Sequence, residues 1–506
     1  MNLSPSAITR PRQGKADEAI RRALLTRLQP PLFLIHSSQR RLLAKTMPTI
    51  PVRPSHLIQA LFRTSALLIV LSMLALNSFT QAQQSRLRLA GDEWFLDSLT
   101  KTEKLKTFEA ETGIHVDVVH ESDRKIMSDL DQAAPPDDAL LDVIVVRHRF
   151  IGKLVEKQQI VAIDSFLTDP TLRQGNFDPQ QQLFPVWWQE LSSYGGHFYG
   201  FPYTLLTTFV CYRKDLLEDA ANRRDFKARY RRELSPPTSW REYNQLAEFF
   251  TRPQQHFYGT YIQGKQGLAL WYEWLNFIYA FGGKILDAKH GWEYGDIVIN
   301  SPQNVEATKQ YLSEIAFSPP DTLTYGWDQA ESALQQGHVF MGLLWTDQAP
   351  FLEEPAVSRV SGKIGYSLIP SKDGRPFTQL EGLTYLIPKE SKHAREAYRL
   401  LQFLLSTEVQ RAQVLKGSLT AKKAIYDDED VRNLPYVPTF LSGVPVAVGK
   451  PTIPESNEMT EAAVRRIAEI VSGKSTPESG LDDLALDLRG ILGTRSRLRY
   501  PVKTKP

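Results

Sequence analysis

The sequence contains one cysteine, Cys211, among 506 residues. A single thiol cannot form a framework of intramolecular disulfides, and it excludes zinc sites built from several cysteines. The ten histidines show no H-E-x-x-H or comparable ligand spacing, and no G-x-S-x-G nucleophile elbow is present. We therefore expect no metal, no cofactor and no catalytic residue in this protein.

Apolar content is too low for a polytopic membrane protein and too high for a disordered chain, at 42% hydrophobic and 23% charged residues. The apolar run near the amino terminus, Ala66–Leu76, is too short to span a bilayer comfortably. Arg53 and Arg63 precede it, and Thr80 and Ala82 follow at spacings typical of a signal-peptidase site. This layout predicts that residues 1–82 are a cleaved signal peptide; the alternatives are a membrane anchor or a buried helix.

Met47 begins a segment of ordinary signal-peptide length, so the residues before it are interpreted as a wrongly assigned start. No cysteine lies directly after the apolar run, which excludes a bacterial lipoprotein anchor. The predicted location is periplasmic or extracellular.

The chain after residue 82 has no excess of basic residues. Residues 1–82 hold eleven Lys and Arg residues and two acids, which leaves 49 basic and 55 acidic residues. The net charge of +3 therefore comes from the predicted leader, and the remainder is mildly acidic. We expect no nucleic-acid partner.

Alternating strand and helix patterns open the predicted mature chain. The strands are expected at Arg86–Ala90, Ile114–Val119 and Leu140–Val146, and the helices at Trp94–Thr112, Asp123–Gln132 and Phe150–Gln158. This order, with a nearly continuous apolar run in the third strand, predicts an open parallel α/β sheet.

The later chain gives weaker signals. Ser239 is expected to cap a helix. A short strand at Leu383–Ile387, an extended five-proline connector at 435–454 and three helices are also expected, the helices at Lys392–Ser406, Met459–Ser472 and Leu481–Leu492. Ala468–Ser475 matches a loose phosphate-binding loop, but a helix precedes it, so Gly473 is interpreted as the end of that helix.

Two aromatic segments indicate a surface for stacking. Tyr272, Glu273 and Trp274 are adjacent, and Trp345 lies two residues before Asp347. Sugar rings present apolar C–H faces and a rim of hydroxyls, which aromatic rings and carboxylates bind together. The alternatives are that these rings pack a buried helix, or that Glu273, Asp347 and Glu381 act as glycosidase carboxylates.

Six further segments have a characteristic order. They are Gly195–Phe198, Tyr199–Leu217, Pro236–Tyr243, Phe281–Leu286, Ala333–Trp345 and Gly382–Pro388. Together they resemble segments of extracellular solute-binding proteins of the maltose-binding, sugar type (family 1), which serve ATP-driven importers. The resemblance extends over essentially all of 85–495.

The resemblance implies an α/β, two-lobed fold of periplasmic-binding-protein type II, with crossover hinge strands and a cleft between the lobes. Mapped onto this sequence, lobe one is 85–203 plus 383–430 and lobe two is 204–382 plus 431–506. The hinge is then expected near Tyr203–Thr204 and Gly382–Leu383. We also expect a monomer.

Ligand contacts are expected at the carboxyl ends of strands, where open α/β sheets place ligands. The predicted ligand-binding residues are Asp92, Glu93, Trp94, Arg147, His148, Arg149, Tyr203, Tyr272, Glu273, Trp274, Trp345, Asp347 and Glu381.

The function implied is a secreted receptor that closes on a solute and delivers it to an ABC-type membrane permease. A carbohydrate is the predicted solute. The alternatives are a binder of a polyamine, ferric ion or phosphonate, a ligand sensor, and a polysaccharide-active enzyme.

Overall fold

The computed structural model describes residues 86–502, apart from 133–135, 137–138, 174 and 176, and apart from the side chains of 186–189. By its internal contacts the chain divides between Ala82 and Gln83. The predicted signal peptide and the predicted start at Met47 lie outside the described residues.

The strands, in chain order, are β1 Arg86–Gly91, β2 His115–His120, β3 Val143–Arg147, β4 Ser193–Tyr194, β5 His197–Phe198, β6 Gly200–Arg213, β7 Leu286–Asp287, β8 Asp296–Ile297, β9 Met341–Trp345, β10 Ile364–Ser367, β11 Thr378–Leu386 and β12 Ala447–Val448.

The α-helices, in chain order, are α1 Glu93–Thr100, α2 Lys104–Thr112, α3 Asp123–Leu130, α4 Ile151–Glu156, α5 Asp164–Thr168, α6 Pro179–Gln182, α7 Pro185–Ser192, α8 Lys214–Glu218, α9 Ala220–Tyr230, α10 Trp240–Phe250, α11 Leu268–Ala280, α12 Pro302–Ser313, α13 Trp327–Gln335, α14 Ala349–Glu353, α15 Ala394–Leu404, α16 Thr407–Val414, α17 Glu429–Arg432, α18 Val437–Gly443, α19 Ser456–Val471 and α20 Pro477–Leu492.

The main sheet has the strand order β10-β6-β11-β3-β1-β2, with β12 pairing to β11 and β9 to β6. Strand β1 is parallel to both β2 and β3, which confirms the predicted parallel α/β unit. The remaining part is mixed, because β11 runs antiparallel to β3 and to β6.

Both faces of the parallel strands are buried. Leu89 and Val145 belong to the large hydrophobic core. Ala90, Ile144 and Val146 belong to a smaller cluster that packs against α3 and α4. A sheet covered on both faces requires apolar side chains at successive positions, which explains the continuous run in β3.

Strands β6 and β11 join two sets of partners. The first residues of β6 pair with β11 beside β3, whereas its last residues pair with β9 and β10. The pairing places Leu383 opposite Thr204, and the register shifts between Leu383 and Thr384. The expected hinge residues, Tyr203–Thr204 and Gly382–Leu383, lie in the β6–β11 pairing, before β6 begins to pair with β9 at Thr208.

Gly382 is required at this crossing. A Cβ added there would lie 2.6 Å from a methyl carbon of Leu191 and 2.7 Å from the carbonyl oxygen of Thr204. Both distances are shorter than van der Waals contact, so the close approach of β6 and β11 needs glycine.

Several predicted elements differ in the structure. The single helix expected at Trp94–Thr112 is two helices, because Glu103 adopts a left-handed conformation (φ 57°) between them. The expected extended connector at 435–454 contains α18, since a proline in the first helical turn is tolerated. The strand expected at Leu383–Ile387 is longer and begins at Thr378.

Two local predictions are confirmed. Ser239 caps α10, and its Oγ accepts a hydrogen bond from the Glu242 N–H at 3.4 Å. Gly473 follows α19 with φ 75°, and its N–H donates to the Ile470 carbonyl at 3.0 Å. A helix end at this position is incompatible with a phosphate-binding loop, which needs a strand before the glycine.

Candidate functional site

A cavity of about 290 Å³ opens where the carboxyl ends of β1, β3 and β9 approach β6 and β11. Its lining residues are Asp92, Trp94, Phe95, Arg147, Leu206, Tyr272, Trp327, Asp328, Glu331, Trp345, Asp347, Gln348 and Glu381. They come from elements on both sides of the β6–β11 crossing.

The end of β1 supplies the first wall. Asp92 caps α1, and its carboxylate accepts a hydrogen bond from the Trp94 N–H at 3.0 Å. This cap directs Trp94 outward, where its side chain is 55% exposed. The Trp94 ring stacks on Phe351 of α14 at 5.5 Å between centroids, so it reaches the opposite side of the cavity.

The end of β3 supplies the cation of this wall. Arg147 forms an ion pair with Asp123, the first residue of α3. Its guanidinium also lies 5.1 Å from the centre of the Phe95 ring. The arginine is thereby held between a carboxylate and an aromatic face, which fixes it at the cavity edge.

Three aromatic rings form the facing wall. Tyr272 of α11 meets Trp345 edge-on at 5.5 Å and stacks with Trp327 at 6.5 Å. Trp345 ends β9, and Trp327 begins α13. The wall therefore consists of rings held against one another, which reduces the entropy lost when a ligand stacks on them.

Carboxylates line the same wall. Burial raises the pKa of Asp347 to about 6, an effect opposed by hydrogen bonds and the Arg147 charge. Burial also raises the pKa of Glu331 to about 7, and the neighbouring Asp347 and Asp328 charges add to this effect. The acids thus lie close enough to repel one another.

A buried charge cluster lies behind the cavity. Glu381 forms an ion pair with Lys450, and its Oε1 lies 2.7 Å from Nδ1 of His148. Burial lowers the pKa of Lys450, with the Arg149 and Arg147 charges contributing. Burial, followed by the Lys450 charge, lowers the pKa of His148.

A hydrogen bond connects this cluster to the aromatic wall. Arg149 donates to the Tyr272 hydroxyl at 2.9 Å. The ammonium of Lys450 lies 4.5 Å from the centre of the Tyr272 ring. Tyr272 is therefore oriented by two cations that come from different parts of the chain.

The structure brings most of the predicted residues together. The cavity lining includes seven of them, namely Asp92, Trp94, Arg147, Tyr272, Trp345, Asp347 and Glu381. His148 and Arg149 are buried behind the lining, and Glu93 is exposed beside it.

Three predicted residues, Tyr203, Glu273 and Trp274, pack elsewhere in the fold and do not line the cavity. Trp274 is fully buried, stacks on Trp271 and donates from Nε1 to Thr308 at 3.0 Å. Glu273 accepts from the Gln263 N–H at 2.6 Å and from the Tyr311 hydroxyl at 2.8 Å. Successive residues of a helix point about 100° apart, so only Tyr272 of this triplet lines the cavity.

Tyr203 is the third correction. Its ring is fully buried, and its hydroxyl bonds to the Phe95 carbonyl and to Ser98 in α1. Its hydroxyl therefore helps to hold α1 in place, and its ring does not line the cavity.

Sequence reasoning missed six lining residues: Phe95, Leu206, Trp327, Asp328, Glu331 and Gln348. One sequence pattern could have indicated some of them. Trp327 and Glu331 are four residues apart, and they follow Gly326 at the start of α13. Residues four apart share one face of a helix. Nothing in the local pattern showed that this face meets β1.

Among the described residues, no helix has both the length and the apolar character needed to cross a membrane. Within the same residues, no group of three or more His, Cys, Asp or Glu side chains is arranged to hold a metal ion.

A family model described as bacterial extracellular solute-binding protein matches residues 104–439. This range covers more than half of the sequence, and the chain belongs to that family. A relative from Deinococcus radiodurans, named a probable ABC transporter-binding protein, is 26% identical over 59% of this chain and 70% of its own length.

Solved structures share the fold. An ABC transporter solute-binding protein from Agrobacterium radiobacter, in complex with ribitol, matches with a TM-score of 0.69 and 23% identity, over 80% of this chain and 98% of that one. Another from Thermotoga lettingae, bound with α-D-tagatose, matches with a TM-score of 0.67 and 23% identity, over 81% and 99%. The chain therefore has the two-lobed fold of these binding proteins.

Proposed function

We propose that this member of the solute-binding family is an exported receptor that binds a carbohydrate in the cavity at the ends of β1, β3 and β9. It delivers the carbohydrate to an ABC-type permease. The lobes are those proposed from the sequence, 85–203 plus 383–430 and 204–382 plus 431–506.

The observation that carries the proposal is the composition of the cavity. Trp94, Tyr272 and Trp345 contribute aromatic rings to the lining, while Asp92 and Arg147 offer an acceptor and a donor beside them. A sugar or polyol needs both kinds of contact, since its C–H groups stack and its hydroxyls form hydrogen bonds. The bound ribitol and tagatose of the two solved neighbours support the same solute class.

We propose that the permease recognises the closed, ligand-bound form of the protein. A ligand in the cavity contacts Trp94 and Arg147 on the β1–β3 side together with Tyr272 and Trp345 on the other side. It therefore favours the closed arrangement through its greater affinity for that state. The chain acts as a monomer in this cycle.

The acids have positions that support binding without catalysis. Glu273 is engaged by Gln263 and Tyr311 away from the cavity lining. Glu381 is held by Lys450 and His148. A pair of glycosidase carboxylates must face the scissile bond from two sides, so we propose no enzymatic activity.

Export is proposed to remove residues 1–82 without attaching a lipid. The run Ala66–Leu76 and the small residue Ala82 support this processing. Intact-mass measurement of the secreted protein is expected to place its amino terminus near Gln83. A secreted protein that keeps Ala66–Leu76 would contradict the proposal.

A thermal-shift screen tests the proposed function. The mature protein is heated with neutral sugars, polyols, amino sugars, linear diamines, phosphonates, amino acids and ferric ion. A ligand at a hundredfold excess over its Kd stabilises the fold by about 2.7 kcal/mol, so carbohydrates are expected to raise the melting temperature. Stabilisation by a non-carbohydrate class alone would overturn the proposal.

A further inference from the structure

The charge of the cavity is strongly one-sided. Among its described lining residues, the carboxylates are Asp92, Asp328, Glu331, Asp347 and Glu381, whereas Arg147 is the one cation. Glu381 is balanced by Lys450, and Arg147 is balanced by Asp123. Among the described residues the other four carboxylates form no ion pair, and the Arg147 charge that acts on Asp92 and Asp347 is shared with Asp123.

The hydrogen bonds made by these acids do not neutralise them. Glu331 accepts from the side-chain amides of Gln335 at 3.0 Å and Gln348 at 3.1 Å, both uncharged donors. Asp92 accepts from the backbone N–H of Trp94. The Oδ1 atom of Asp347 is buried and has no hydrogen-bond partner among the described residues.

The aromatic rings favour the same sign of charge. Trp94, Phe95, Tyr272, Trp327 and Trp345 line the cavity with the acids. The face of an aromatic ring carries partial negative charge, and tryptophan binds cations best among these rings. Within the fold, Arg147 over Phe95 and Lys450 over Tyr272 already use this interaction.

A ligand of neutral hydroxyl groups can donate to these carboxylates but brings no positive charge to them. Each hydroxyl both donates and accepts, but the lining is dominated by acceptors. When they are charged, Asp328 and Asp347 repel Glu331 in this cavity, and neutral hydroxyls leave that repulsion in place. A protonated amine supplies several donors and one positive charge at a single atom.

We infer that the solute is a carbohydrate or polyol that carries a protonated amino group, with the ammonium held by Asp347 and Glu331 beside the rings of Trp94, Trp327 and Trp345. This inference rests on the proposed function and narrows its ligand class. The hydroxyl-bearing part of the solute lies towards Asp92 and Arg147.

Titration calorimetry with matched probes tests the inference. The pairs are D-glucosamine with D-glucose and N-methyl-D-glucamine with D-sorbitol, and putrescine is the amine without hydroxyls. A charge-assisted hydrogen bond to a buried acid is expected to give the aminated member of at least one pair about tenfold tighter binding or more. Putrescine is expected to bind more weakly than that probe.

Isosteric variants test which carboxylates bind the ammonium group. Asp347→Asn and Glu331→Gln are each expected to weaken binding of the aminated probe more than binding of the neutral probe, so that most of the preference for the aminated probe is lost. Glu111→Gln removes an exposed acid of α2 that does not line the cavity and is expected to leave the preference unchanged.

The outcomes separate the two proposals. Equal or tighter binding of every neutral member overturns the amino-group inference, while the carbohydrate receptor stands. A preference that survives both cavity variants also overturns the inference. Tighter binding of putrescine than of any sugar or polyol overturns the carbohydrate assignment itself.

Discussion

At the scale of single residues, Trp94 and Trp274, two tryptophans predicted from the sequence as ligand contacts, have different roles. Trp94 is 55% exposed at the cavity, whereas Trp274 is fully buried against Trp271 and Thr308. Trp274→Ala is expected to cost about 3–5 kcal/mol of stability. Trp94→Ala is expected to leave the melting temperature nearly unchanged and to abolish binding of the solute, as measured by calorimetry. If Trp94→Ala bound the solute with wild-type affinity, Trp94 would not be part of the proposed site.

The acids of the cavity predict a pH dependence. Asp347 has a pKa of about 6 and Glu331 of about 7, both raised by burial. Each carboxyl is neutral below its pKa and charged above it. Affinity for N-methyl-D-glucamine is therefore expected to rise between about pH 5 and pH 8, with proton release on binding.

The measurement is calorimetric titration across this pH range, with D-sorbitol as the uncharged control. Asp347→Asn is expected to make the dependence of affinity on pH shallower. In this variant Glu331 still contributes a cavity carboxyl with a raised pKa. Affinity for the amine that stays constant or falls as the pH rises would show that these acids do not bind the ammonium.

At the scale of elements, periodicity predicted the parallel strands, but it left a buried helix as an alternative for the aromatic segment and did not show which side of that helix faces the cavity. Helix α11 is buried on nearly all sides, so its sequence has no polar stripe to mark a solvent face. Tyr272 lines the cavity only because α13 and β9 pack beside it. The interruption between α1 and α2 at Glu103 could not be predicted either, since no glycine or proline lies at this position.

The crossing of β6 and β11 predicts a matched pair of glycine variants. Gly382→Ala places a methyl group against Leu191 and the Thr204 carbonyl and is expected to destabilise the protein by about 1–3 kcal/mol. Gly490 lies in α20 with open space around an added Cβ. Gly490→Ala is expected to stabilise the protein by about 0.5–1 kcal/mol, because alanine favours helix.

Urea unfolding of the two variants checks this pair. The opposite signs separate the steric need at the strand crossing from the general effect of replacing glycine. A Gly382→Ala variant as stable as the original protein would show that β6 and β11 can separate without cost.

At the scale of the whole molecule, the ordered segments in the sequence predicted the two-lobed fold that the family match and the solved structures show. The lining residues on α13 could not be predicted, because they reach the cavity only through the packing of distant parts of the chain. The lobe boundaries at 203–204 and 382–383 remain predictions.

Small-angle X-ray scattering of the mature protein tests directly whether the solute binds between two lobes and closes them. The scattering is recorded alone and with a saturating amount of the carbohydrate that stabilises the protein most. A ligand that contacts both sides of the β6–β11 crossing favours the closed state, so the radius of gyration is expected to fall. An unchanged radius at confirmed saturation would contradict a cleft that closes on its ligand.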